Sequence, residues 1–220
     1  MKRSRLVPYS LIALSFVPVV AGAFRVSELA AGAPIDDGNA RFFAQPLPVV
    51  LHIIGATVYC LLGAFQFDAR LRRRRPGWHR AAGRVLIPCG LVAALTGMWM
   101  AVSYDLPPID GLGVLLLRLV FGGAMALAVV LGFVRVRQGD FTAHRAWMMR
   151  AYAIGLGAGT QAFTHLPWLL AGDAPDELGR FTAMAAGWLI NLAVAEWLIR
   201  RSRRRPAPAR TAMTAIVPVR

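Results

Sequence analysis

Six stretches of this chain, at about 6–24, 47–67, 85–104, 112–134, 147–170 and 181–199, are almost continuously apolar. Each is close to the ~20 residues an α-helix needs to cross the hydrocarbon core of a bilayer. A helix on a soluble domain keeps a polar stripe, and these stretches mostly lack one. The pattern predicts an all-α fold, a polytopic membrane helix bundle of about six transmembrane helices. Residues 1–199 make up that domain, with 47–170 as its core. Residues 200–220, rich in Arg, Pro and Ala, read as a disordered basic cytoplasmic tail that can lie on anionic lipid.

The polar positions between these stretches set the orientation. Of 25 basic residues, 21 fall at the two termini and in the second and fourth connections, including the run from Arg70 to Arg84. Eight of eleven acidic residues fall on the other side. Short loops rich in Lys and Arg stay in the cytoplasm, so both termini are expected there. A net charge of +14 would suggest nucleic acid in a soluble protein. Here the membrane accounts for it, and no nucleic-acid partner is expected. The first stretch has a second reading. Lys2 to Arg5, the apolar run and Ala21-Gly22-Ala23 resemble a secretory signal with a small-residue cleavage site. Pro8 and the five stretches that follow favour an uncleaved helix.

Glycine and cysteine usage refine the picture. Gly155 and Gly159, with Ala153, Gly157 and Gln161 on an adjacent ridge, put small residues four apart on the fifth helix, which lets neighbouring backbones approach in lipid. Ala183 and Gly187 repeat the device on the sixth. Cys60 and Cys89 lie inside helices, without a CxxC or an external pair, and read as small apolar side chains. His79-Arg80 and His144-Arg145 end two similar turns, a weak internal echo that would make helices two to five a pair of tandem hairpins.

Ionisable groups inside lipid are costly, so each demands a reason. His52, Arg118 and His165 lie on three different helices, each ~8–9 Å below the outer boundary at 1.5 Å per residue. Neutral imidazoles are suitable axial ligands for iron, so His52 and His165 could hold a b-type haem, with Arg118 neutralising a propionate. Alone, each residue also fits a structural role: a helix-to-helix hydrogen bond, a wet external cavity, or a snorkelling arginine. A second pair, His79 and His144, sits one bilayer thickness away on the cytoplasmic side. With Arg80, Arg84, Arg145 and Arg150 it forms a cationic face suited to topology, to anionic lipid headgroups or to a protein partner. A divalent metal held there by His79, His144, Asp68 and Asp140 is disfavoured, because so many arginines repel it. Glu196 is expected to pair with Arg200 at i+4, and Asn191 to bond another helix. No hydrolase motif, phosphate loop or paired-carboxylate site is present, and neither Pro88 nor Pro167 breaks a helix centrally as a transporter would.

The run Leu51-His52 to Gly63, Phe65-Gln66-Phe67, Arg70-Leu71-Arg72, Pro76, His79-Arg80 and Gly83-Arg84, together with His144-Arg145-Ala146-Trp147-Met148-Met149-Arg150, resembles a family of bacterial predicted membrane proteins known only as a domain of unknown function. The resemblance covers about residues 47–165 and implies a multi-pass protein of the bacterial inner membrane. The layout is also similar to membrane b-type cytochromes of the two-haem kind, an analogy of architecture alone. Two functional expectations follow: haem-based electron transfer, meeting a quinone or another redox partner, and a non-catalytic role in binding anionic lipid or protein.

Overall fold

The computed structural model describes residues 3–203, so nearly all of the expected basic tail at 200–220 lies outside the described residues. In chain order the helices are α1 (Arg3–Ala31), α2 (Ala40–Ala44), α3 (Pro46–Ala64), α4 (Ala69–Arg74), α5 (Pro76–Ser103), α6 (Gly111–Arg137), α7 (Phe141–Gly155), α8 (Gly157–Thr164), α9 (Leu166–Ala171) and α10 (Glu177–Arg203). No strand occurs among the described residues. Five helices, α1, α3, α5, α6 and α10, are long and apolar enough to cross a membrane.

The expected fifth helix is where the chain departs from the apolar pattern. Residues 147–170 form parts of three helices, because α7 stops at Gly155, α8 at Thr164 and α9 follows. Leu156 sits between two glycines and its carbonyl accepts from both Gly159 and Thr160, a tightened turn in mid-membrane. Pro167 has no N–H to continue the ladder, and the second break falls just before it, at His165. The first break has no charged or strongly polar signature, so hydropathy runs through it, whereas Thr164, His165 and Pro167 mark the second. At the arginine-rich end α5 begins at Pro76, nine residues before its apolar block, because a helix continues past the lipid wherever its backbone can be capped or solvated.

Helices α3, α5, α6 and α7 pack in chain order, and α3 also meets α7 to close the four. α1 lies against α3 and α8, while α10 covers α6, α7 and α8. The contacts are close because glycine faces a large side chain. The Tyr59 ring is held between Gly90 of α5 and Gly155 of α7, and Tyr152 lies on Gly63 of α3; a Cβ on Gly90 or Gly63 would stand 2.6 Å from the ring. Gly159 meets the Leu14 backbone carbonyl of α1, Gly157 meets Trp188, and Gly187 meets Gln161. The small-residue ridge of the broken helix therefore touches α1, α3 and α10 at once. Large apolar side chains such as Val120, Leu127, Leu189 and Trp197 point outward, as a lipid-facing surface requires.

Polar side chains inside the bundle cross between helices rather than seeking water. Tyr152 Oη donates to the Cys60 carbonyl at 2.7 Å. Asn191 Nδ2 donates to Ala153 O at 3.1 Å, and Thr160 Oγ1 donates to Asn191 Oδ1 at 2.8 Å. Gln161 and Thr164 donate to the Met184 and Ala183 carbonyls at 3.1 and 2.7 Å. Each bond satisfies a group that lipid cannot.

Candidate functional site

Helices α1, α3, α5, α6, α8 and α10 converge on a cavity of about 450 Å³ in the half of the bundle away from the arginine-rich turns, the expected outer half. Small residues on its walls (Ala56, Gly97, Ala101, Gly122 and Ala158) keep the helices from filling it. Met98, Phe121, Met125 and Trp188 supply a broad apolar lining, with the Phe121 and Trp188 rings stacked 4.6 Å apart. Into this space the sequence places an imidazole, two phenols and several charges.

His52 lines the cavity from α3. Its Nδ1–H donates to the Ala93 carbonyl of α5 at 2.8 Å, which fixes the neutral tautomer and leaves the Nε2 lone pair. Gly97 leaves room for the ring, since a Cβ there would lie 3.2 Å from His52 Cε1. A backbone carbonyl holding one ring nitrogen is the usual support for an imidazole whose other nitrogen binds a metal.

The outer end of the cavity is built on Asp110, whose side chain is 3% exposed. It ends a short turn after Pro107 and Pro108, next to Gly111, whose φ of +50° suits glycine and whose Cα faces the Glu177 carboxylate. Arg118 Nη2 donates to one Asp110 oxygen at 2.8 Å and Arg180 Nε to the other at 3.0 Å. Arg180 Nη1 also donates to His165 Nε2 at 3.3 Å, and His165 Nδ1–H donates to Gln161 O at 2.7 Å. One carboxylate thus joins α6 to α10, and α10 is tied on to the α8–α9 break.

The connection after α1, residues 32–45, covers this end, because α1 runs on to Ala31 past the expected end of its apolar stretch. Its short helix α2 contributes Arg41 and Phe42 to the cavity lining. The Phe42 ring lies under two guanidiniums, with Arg25 at 4.4 Å and Arg41 at 4.7 Å, and edge-on to Tyr104 at 5.7 Å. The Tyr104 hydroxyl donates to Gln45 O at 2.6 Å.

Of the three intramembrane residues singled out by depth, His52 and Arg118 line the same cavity, while His165 stands behind Arg180. Asp110, Arg180 and Arg41 were counted only as loop charges. The available signal for the first was an acid two turns before an intramembrane arginine, since a buried guanidinium calls for a partner within reach.

The residues of the expected cytoplasmic face divide differently. Arg80, Arg84 and Arg145 are exposed. Arg150 forms a bidentate pair with Glu196 of α10, at 2.5 and 3.1 Å, and stacks on Trp147. Glu196 therefore reaches across to α7, a contact the i+4 expectation did not contain. His144 Nδ1–H donates to Gly132 O at 2.8 Å, and His79 lies close enough to interact with it electrostatically. Asp68 and Asp140 cap the first turns of α4 and α7, accepting from Arg70 and Leu71 and from Ala143.

The class defined by these features is a multi-pass membrane helix bundle enclosing a cavity within its outer half. Residues 49–199 match the family described as predicted membrane protein DUF2306, and the chain belongs to that family. No curated protein and no solved structure matches the chain.

Proposed function

We propose that this protein binds haem b in the outer cavity, with His52 as the iron ligand, and carries electrons within the bacterial inner membrane. One observation carries the reading: a neutral imidazole, its Nδ1–H held by the Ala93 carbonyl, lines a largely apolar intramembrane cavity of about 450 Å³. The residues fit the group. The unprotonated Nε2 is a suitable axial donor, Met and aromatic side chains suit a porphyrin face, and Arg118 stands where an acidic edge needs a cation. Haem bound there would supply one-electron chemistry, with a quinone or a protein as the redox partner.

The chain's own residues modify the expectation of two histidine ligands. His165 Nε2 already accepts a hydrogen bond from Arg180. In this proposal His165 positions Arg180, and His52 is the single protein ligand. The test is a reduced-minus-oxidised spectrum of detergent-purified protein expressed with haem supply. A b-type difference band is expected, lost in His52→Ala and kept in His165→Ala. A flat spectrum from folded protein would sink the proposal, and a band that survives His52→Ala would remove its ligand.

A second reading concerns the cytoplasmic face. The guanidiniums of Arg80, Arg84 and Arg145 are exposed at the level where Trp78 and Trp147 sit, which suits anionic headgroups, whereas Arg150 is engaged by Glu196. Binding to anionic vesicles that weakens with salt and with Arg80→Gln or Arg145→Gln supports it, and salt-independent binding counts against it.

A further inference from the structure

The charges around the outer cavity do not balance. Arg41, Arg118 and Arg180 line it, against one carboxylate, Asp110. Asp110 is nearly sealed, yet the side chains of Arg118 and Arg180 remain 22% and 30% exposed. A guanidinium has five N–H donors. Arg118 gives one to Asp110, and Arg180 gives one to Asp110 and one to His165. Most donors of this pair are thus left for other partners, at a depth where water is scarce and an unmatched cation is costly. Below them lie Met98, Phe121 and Trp188, with no charged group among them.

We infer that the cavity selects an amphipathic ligand bearing an acid group, a carboxylate or a phosphate, which docks on Arg118 and Arg180 while its apolar body lies along the Met98, Phe121 and Trp188 wall. Asp110 acts as the positioning residue: it spreads the two guanidiniums by holding one nitrogen of each, so that the remaining donors converge on one anion. Arg41, on the short helix that covers the mouth, adds a third positive charge on the entry side. His165 keeps Arg180 turned toward Asp110. A neutral ligand of the same shape leaves these donors unmatched, and a charged one without an apolar body leaves the lower wall empty. The acid could belong to a porphyrin or to a lipid-derived chain; the chemistry recognised is the same.

This deepens the haem reading, because it places the acidic edge of the ligand, yet it needs no iron and the two fail separately. The test uses full-length protein in detergent and two ligand pairs: metal-free protoporphyrin IX with its dimethyl ester, and dibromostearate with its methyl ester, both followed by quenching of tryptophan fluorescence. Each acid is expected to bind more tightly than its ester by at least about tenfold, the scale of one charge-assisted contact. Arg180→Gln and Arg118→Gln should each remove that preference. The tighter of the two acids identifies the source. Equal binding of acid and ester to the unaltered protein, or no saturable binding of either pair, overturns the inference without recourse to any variant. A flat haem spectrum with the acid preference intact sinks only the haem reading, and a b-type band with acid and ester equal sinks only this one.

Discussion

The two halves of this bundle solve the problem of polar groups in lipid in opposite ways. In the inner half, large rings are pressed on to glycines and the remaining polar atoms are spent on helix-to-helix bonds. Tyr152 lies on Gly63, donates to Cys60 O, and meets Phe67 at 4.8 Å. In the outer half, small residues line a cavity and charge is concentrated on Asp110, Arg118 and Arg180. A bundle that needed only to stay folded could have been packed throughout like its inner half, because buried ion pairs add little net stability over apolar side chains of the same size. That contrast is the reason to look for function in the outer half.

The sharpest way to break the comparison is to disturb the packed half. Gly90→Leu and Gly63→Leu drive a side chain into Tyr59 and Tyr152, where even a Cβ would stand 2.6 Å from the ring. Overpacking costs typically 1–3 kcal/mol, roughly, and more where two rigid partners oppose it, so loss of monodisperse protein in size-exclusion chromatography is expected. If both variants elute and melt like the unaltered protein, the inner half is not tightly packed. Next in size is Asp110→Ala, which strands two cations at once and should cost about 3 kcal/mol, read as a lowered melting temperature in detergent. Arg118→Ala should cost clearly less, because Asp110 keeps Arg180 at 3.0 Å. Equal losses from the two would mean that Asp110 is not the centre of the cluster.

Much of the frame was legible in the apolar pattern, and what was missed has physical causes. Continuous hydropathy marks which residues can face lipid, and it located the other five helices and, through the arginines, their expected orientation. It could not register the break at Leu156, since a turn between Gly155 and Gly157 is as apolar as a helix, whereas Pro167 signals the one at His165. The glycine spacing was more informative, because close approach depends on side-chain size alone. Depth along helices brought His52 and Arg118 to one level, and they do share a cavity. Depth says nothing about rotation, so it could not show that the Nε2 of His165 is occupied by Arg180. The loop charges Asp110, Arg180 and Arg41 escaped because charge counting assigns them to the aqueous side, while the chain folds them inward over the cavity.

The finest comparison is between two single bonds, one in each kind of polar contact. Arg150 and Glu196 make a bidentate pair toward the arginine-rich end of the bundle, with side chains 27% and 33% exposed. Water and headgroups screen that pair, so Arg150→Gln should cost no more than about 1 kcal/mol and less in high salt. Tyr152→Phe removes only a hydroxyl, but the Cys60 carbonyl it serves lies in the apolar interior, where a lost bond also costs about 1 kcal/mol. The two variants should therefore melt at similar temperatures in low salt and separate in high salt. Salt would shrink the Arg150→Gln deficit and leave that of Tyr152→Phe unchanged. Melting curves of both at two ionic strengths decide it: a salt-sensitive Tyr152→Phe would mean that water reaches the packed half, and the distinction between the two halves would fall with it.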